Sequence, residues 1–182
     1  MLHIIVGSEN DLKYVGDSKV MEIITAMRAA NIRVVVSVIS ADRNRAKLDE
    51  YCRPWDSVDQ TGIDHSFDVV VAAAGMAAVL PSAIAAAVKF DVPVIGVPLP
   101  SPGFENCLDS TLAMLRKPSG CPVLVVDNMQ NALLAAWKII AMASNAGDAQ
   151  GGYEAFMAAK SRKVKINIFD AELTGSVGAA KK

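Results

Sequence analysis

The chain reads as a three-layer, flavodoxin-like (Rossmann-like) α/β domain: a parallel sheet covered by helices on both faces, with a C-terminal helix and tail attached. Three observations predict this. Short apolar runs at residues 2–6, 33–39, 67–72, 92–97 and 122–126 are separated by segments of helical periodicity. The runs are continuous rather than alternating, as expected of parallel strands buried on both faces. A strand-helix-strand order repeated along the chain requires right-handed crossovers, and therefore a parallel sheet.

The first run, Leu2-His-Ile-Ile-Val, breaks at Gly7 into Ser8-Glu9-Asn10-Asp11 and then into a helical pattern. A strand that delivers a glycine turn to a helix start suits an anion. Unpaired N–H groups and the macrodipole both favour negative charge there, and the Ser8 hydroxyl can donate. Ser8, Asn10 and Asp11 are equally residues that cap a helix and bind nothing. Val15, Val20, Ile23, Ile24 and Met27 share one face of a helix over residues 12–30, which Asn31 ends. The Val-rich second strand leads into Ser40-Ala41-Asp42-Arg43, ahead of a helix over 44–58.

The third strand leads into Ala73, Ala74, Gly75, Met76 and Ala77, a turn that continues to Ser82 and then into a helix over 83–90. Small residues let backbone approach a ligand, and they also suit close helix packing. After the fourth strand, Pro98, Pro100, Pro102 and Gly103 restrict a loop over 98–108. Asp109 or Ser110 starts a short helix, which Pro118 and Gly120 stop before the fifth strand. Residues 129–144 carry the strongest helical signal, an Ala-rich stretch containing Trp137. A glycine-rich hinge over 147–152 then precedes a last helix over 153–163, an extended segment at 164–169 and a frayed tail. The chain thus divides into an α/β domain over 1–146 and an appendage over 147–182, which packs on another subunit or on its own domain. The loops after the strands, at 8–11, 40–43, 73–79, 98–106 and 127–130, share the carboxyl edge of the sheet, where open α/β domains bind ligands.

Composition narrows the function classes. The 182 residues carry a net charge of -1, which argues against nucleic acid or an anionic membrane surface as partner. No apolar run is long enough to span a membrane, and no leader pattern opens the chain, so a cytoplasmic protein is expected. Hydrophobic residues make up 52%, largely Ala and Val, which predicts tight packing of small-residue helices on the sheet or against neighbouring subunits. Cys52, Cys107 and Cys121 are odd in number and widely spaced. They support neither a disulfide framework nor a zinc site and are expected as reduced thiols. His3 falls inside the first strand, as a core or interface residue, and His65 in a surface loop. Trp55 and Trp137 sit in helical patterns, where packing explains them, so nothing points to a flavin.

In order and at matching spacing, these motifs resemble the aminoimidazole ribonucleotide carboxylases and carboxyaminoimidazole ribonucleotide mutases of purine biosynthesis, the PurE family. Gly7-Ser8-Glu9-Asn10-Asp11 resembles that family's Gly-Ser-x-Ser-Asp loop, and Ser40-Ala41-Asp42-Arg43 its Ser-Ala-His-Arg. The stretch from Ala72 to Ser82 resembles its small-residue turn, and Pro93-Val94-Ile95-Gly96-Val97-Pro98 its fourth strand. Asp109-Ser110, Pro118-Ser119-Gly120 and Asn131-Ala132-Leu133-Leu134-Ala135-Ala136 complete the series.

The resemblance implies an enzyme that moves CO2 onto or from C4 of a phosphoribosyl aminoimidazole, with no metal or organic cofactor. It implies substrate-binding positions at Ser8, Asp11, Ser40, Ala41, Arg43, Ala74, Gly75 and Ala77, and a homo-octamer whose subunits complete one another's sites. Arg43 suits phosphate as a bidentate donor, and Asp11 can accept from a ribose hydroxyl. The departures are specific. Where the family's loop carries its proton-transfer His this chain has Asp42, the second loop Ser is Asn10, the second His is Val79, and glycines of the turn are Ala73, Met76 and Ser82. Asp42 either takes over proton transfer, as a carboxylate can when its environment raises its pKa, or caps the second helix. The alternative reading is therefore a paralogue that binds a phosphoribosyl or nucleotide ligand without this activity. Arg116-Lys117-Pro118-Ser119-Gly120 resembles the CO2-using branch and the Ser-Ala-x-Arg loop the mutase branch, so the choice of carboxyl donor stays open.

Overall fold

A computed structural model describes residues 1–56, 68–88, 92–144 and 147–160. His65, the extended segment at 164–169 and the tail lie outside these residues. The strands β1 (Leu2–Val6), β2 (Val34–Val38), β3 (Val69–Ala74), β4 (Val94–Pro98) and β5 (Leu124–Val125) form one parallel sheet in the order β2-β1-β3-β4-β5. Every residue of β1, β3 and β4 is buried, which is why these runs are continuously apolar. Leu2 pairs with Val34 on one side and Val69 on the other, so β1 and β3 are neighbours whose crossovers leave in opposite directions. That reversal of strand order opens a crevice at the carboxyl ends of β1 and β3.

Helices cover both faces. On one, α1 (Leu12–Val15), α2 (Ser18–Ala29), α6 (Met129–Ser144) and α7 (Gly147–Lys160) enclose a core of Leu2, Ile4, Ile24, Met27, Val71, Leu133 and Trp137. On the other, α3 (Arg45–Asp56), α4 (Val79–Ala87) and α5 (Leu108–Leu115) pack over Ile5, Leu48, Val70, Ile84, Val94 and Met114. The single helix expected over 12–30 is two: after Gly16, Asp17 takes an extended conformation and its carboxylate accepts from the N–H groups of Lys19 and Val20, capping α2.

The appendage also differs from expectation. Residues 147–152 are the first turns of α7 rather than a hinge, because tertiary contacts override the low helix propensity of glycine. Trp137, fully buried, donates from its indole N–H to the Ala149 carbonyl oxygen at 2.9 Å and packs its ring edge-on against Tyr153 and at a tilt against Phe156. A Cβ on Gly152 would lie 2.5 Å from that of Ala30, so only glycine lets α7 approach α2 this closely. Lys160 pairs with Glu22 and Asn31 donates to Asp148, so the described part of the appendage is docked on its own domain.

His3 is buried, as expected. Its Nδ1 lies 2.8 Å from the Tyr51 hydroxyl and its Nε2 3.5 Å from Asp68, which also accepts from the Trp55 indole. This cluster occupies the amino end of β1, the opposite edge of the sheet from the crevice.

Candidate active site at the switch point of the sheet

Three strand ends build the site. β1 is followed by Gly7, and Ser8 donates its hydroxyl to Asp11 Oδ2 at 2.8 Å, closing a tight turn. The helix that follows is shorter than the sequence suggests: a 3-10 turn at Glu9–Asp11 and then the four residues of α1. β2 delivers a second turn in which the Ser40 hydroxyl accepts from Arg43 N at 3.2 Å and Arg43 Nε at 3.4 Å. This holds the guanidinium so that Nη2 reaches the Gly7 carbonyl oxygen, 3.3 Å away. α3 starts at Arg45, so its cap position is Asn44 and Asp42 lies earlier, in the turn. The capping role expected as one option for Asp42 is therefore not its role. Asp42 is exposed and, among the described residues, makes no hydrogen bond or ion pair.

β3 supplies the third wall. Met76 and Ala78 both adopt the left-handed conformation, with φ of 55° and 43°, which non-glycine residues enter at a cost. A Cβ on Gly75 would lie 3.1 Å from the Pro100 carbonyl oxygen and 3.2 Å from that of Leu99, so the bare backbone is needed for the turn to pass the loop after β4. Ala78 cannot cap α4 with its side chain, which leaves the first N–H groups of that helix facing the crevice without a side-chain acceptor. The loop after β4 is pinned by Ser101, which donates to Asp109 Oδ2 at 2.6 Å, and by Ser110, which donates to the Leu99 carbonyl oxygen at 3.0 Å.

Ser8, Asp11, Ser40, Ala41, Asp42, Arg43, Ala74, Gly75 and Ala77 all line one cleft of about 680 Å³. The same cleft is walled by Pro100, Ser101 and Pro102, from the loop after β4 that the sequence places on this edge, and by two residues that sequence reasoning did not place there, Lys13 and Tyr14. Lys13 and Tyr14 follow Asp11 closely enough that a short first helix would have predicted them. Asp127, Asn128, Met129 and Gln130 line an adjoining cleft of about 440 Å³ that shares Lys13, Tyr14 and Pro100 with the first. Cys107, at the rim of that second cleft, has its thiol pushed up from the usual range, first by burial and then by Asp109. Among the described residues no group of three His, Cys, Asp or Glu side chains could hold a metal ion, and no helix is long and apolar enough to cross a membrane.

A family model described as AIR carboxylase matches residues 1–160. The chain belongs to the AIR carboxylase family. Among its relatives, the N5-carboxyaminoimidazole ribonucleotide mutase of Pyrococcus abyssi is 37% identical over 142 residues, spanning 76% of this chain and 72% of that one. The protein of the same description from Mycobacterium leprae is 34% identical over 139 residues, spanning 75% and 72%. The phosphoribosylaminoimidazole carboxylase of Schizosaccharomyces pombe is 31% identical over 140 residues, 76% of this chain but 23% of that longer one. The crystal structure of Treponema denticola PurE superposes with a TM-score of 0.67 at 19% identity, covering 87% of this chain and 90% of that one, and so shares the fold. Within the AIR carboxylase family, this member's loop after β2 reads Ser40-Ala41-Asp42-Arg43 and its turn after β3 carries Met76.

Proposed function

We propose that this chain moves a carboxyl group onto or from C4 of a phosphoribosyl aminoimidazole, the chemistry of purine biosynthesis named for its relatives. The observation that carries the reading is the convergence of the loops after β1, β2 and β3 on one cleft at the switch point of the sheet, in a chain of this family. Arg43, already oriented by Ser40 and Gly7, holds the phosphate, with the Ser8 hydroxyl beside it. Asp11 accepts from a ribose hydroxyl. The turn through Ala74, Gly75 and Ala77 lets the imidazole and CO2 lie against backbone, and the unsatisfied N–H groups at the start of α4 favour the carboxylate.

In the forward direction C4 bonds to the carbon of CO2, whether CO2 arrives free or is released from the N5-carboxylated substrate. C4 then carries both a hydrogen and the new carboxylate. Asp42 removes that proton, which returns the electron pair to the ring; in reverse, the protonated Asp42 delivers it. A positioned acid-base group of this kind contributes about a hundredfold to ten-thousandfold. We further infer a cytoplasmic homo-oligomer, an octamer by family resemblance. Leu108, Leu112 and Leu115 on α5 and Leu124 on β5 are exposed and supply apolar surface for such an assembly.

The deciding experiment is turnover of carboxyaminoimidazole ribonucleotide, and of aminoimidazole ribonucleotide with bicarbonate, by the protein and its Asp42→Asn and Asp42→His variants. The expected result is an active protein, a loss of about a hundredfold or more in Asp42→Asn, and activity retained in Asp42→His. An inert protein that still binds a phosphoribosyl ligand through Ser8 and Arg43 overturns the reading in favour of a catalytically divergent paralogue.

A further inference from the structure

The charged side chains that line the cleft are Asp11, Lys13, Asp42 and Arg43, two carboxylates against two cations. A ligand bearing a phosphate monoester brings about one and a half to two further negative charges, and a carboxylated one brings more. With Arg43 as its only cation the cleft would repel such a ligand. Backbone cannot make up the difference on this wall: the helix after Ser8 is only four residues long, and a macrodipole of one turn is small.

We propose that Lys13 is the second cation of the ligand site and binds the phosphate together with Arg43; the inference rests on the phosphoribosyl reading above. Among the described residues neither cation is consumed by an ion pair. Arg43 donates only to the neutral Gly7 carbonyl and Ser40 hydroxyl, and Lys13 Nζ stands 5.0 Å from the centroid of the Tyr14 ring. Both therefore keep donors for a ligand. Lys13 lies two residues beyond Asp11 and lines this cleft and the adjoining one, so the residue stands where the two meet. A compact charge on a flexible four-carbon stem can turn from the aromatic face onto a phosphate oxygen as the ligand arrives. The side chain is exposed, so its replacement leaves the fold intact.

The test is calorimetric binding of ribose 5-phosphate to the full chain and to Lys13→Ala and Lys13→Arg, at low and moderate salt, with ribose as the uncharged control and turnover measured alongside. Lys13→Ala should weaken ribose 5-phosphate about tenfold and flatten its salt dependence, while Lys13→Arg stays within about threefold of the unmodified protein and ribose binding does not change. A change under about twofold in Lys13→Ala, an equal loss in Lys13→Arg, or no binding by the unmodified protein overturns the proposal. The two readings fail separately. Lys13-dependent binding without turnover sinks the carboxylase reading alone, and turnover with Lys13-independent binding sinks the role of Lys13 alone.

Discussion

Arg43 Nη2 donates to the Gly7 carbonyl oxygen at 3.3 Å and so ties the turn after β2 to the turn after β1. The same guanidinium is held by Ser40 through Nε, so its direction is set before any ligand arrives. Removing it should cost recognition far more than stability. Arg43→Ala is expected to raise KM at least tenfold while the stability changes by no more than about 0.5 kcal/mol, since the side chain is exposed. Arg43→Lys keeps the charge but loses the fork and should recover only part of the loss. Steady-state kinetics with a urea titration on each variant checks this, and an unchanged KM in Arg43→Ala would remove Arg43 from the site.

Met76 holds φ at 55° with 68% of its surface exposed, so its side chain gains little from burial while its backbone occupies a conformation suited to glycine. Met76→Gly should stabilise the protein by about 0.5 to 1 kcal/mol, the relief of left-handed strain outweighing the entropy that glycine adds to the unfolded chain. It also opens the turn beside the cleft. A melting temperature unchanged or lower in Met76→Gly would show that the strain is not there.

Where residues are covered on both sides, the elements were legible in sequence. β1, β3 and β4 are continuous apolar runs because helices lie on both faces, and α6 is bounded at residues 129 and 144 as its Ala-rich period implies. The break at Gly16-Asp17 was written in a glycine followed by a capping carboxylate, but the apolar stripe running through Val15 and Val20 masked it. The start of α7 was not legible. Its glycines are helical because Trp137 holds Ala149 and Gly152 packs on Ala30, and a contact such as Ala30 to Gly152, far apart in the chain, leaves no local pattern. The site divides the same way. The loops after β1, β2 and β3 could be read because strand order places their ends together. The loop after β4 was legible for the same reason, whereas Lys13 and Tyr14 enter the cleft through the shortness of α1, which the continuous apolar stripe hid.

Two adjacent glycines of α7 should respond to alanine with opposite signs. Gly151 has open space where a Cβ would stand, so Gly151→Ala gains helix propensity of about 0.5 to 1 kcal/mol. At Gly152 the added carbon would meet Ala30 Cβ at 2.5 Å and Trp137 at 3.3 Å, and neither can swing aside as a flexible chain end would. Gly152→Ala should therefore lose about 1 to 3 kcal/mol and shift α7 off the core. Denaturation followed by the fluorescence of buried Trp137 separates the two, and a Gly152→Ala variant as stable as Gly151→Ala would mean that α7 does not pack here.

Cys52, 1% exposed in α3, should make the fold sensitive to alkali. Burial first and Asp49 second push its thiol from 9.0 up to about 11, against the pull of Arg45. Tyr51 beside it is raised as well, chiefly by burial, with the Ser37 hydrogen bond opposing. A pKa raised by folding means that the folded state holds the proton more tightly than the unfolded chain. Its contribution is complete below the unfolded value and disappears as pH climbs through the folded one. For Cys52 that window runs from about pH 9 to 11, and the loss across it is on the order of 2 kcal/mol. Urea titrations at intervals between about pH 8 and 11 should show the protein losing stability more steeply than Cys52→Ala, which starts less stable because of the cavity it leaves but keeps only the Tyr51 share of the slope. Parallel curves for the two proteins would mean that the Cys52 thiol does not drive the alkaline loss.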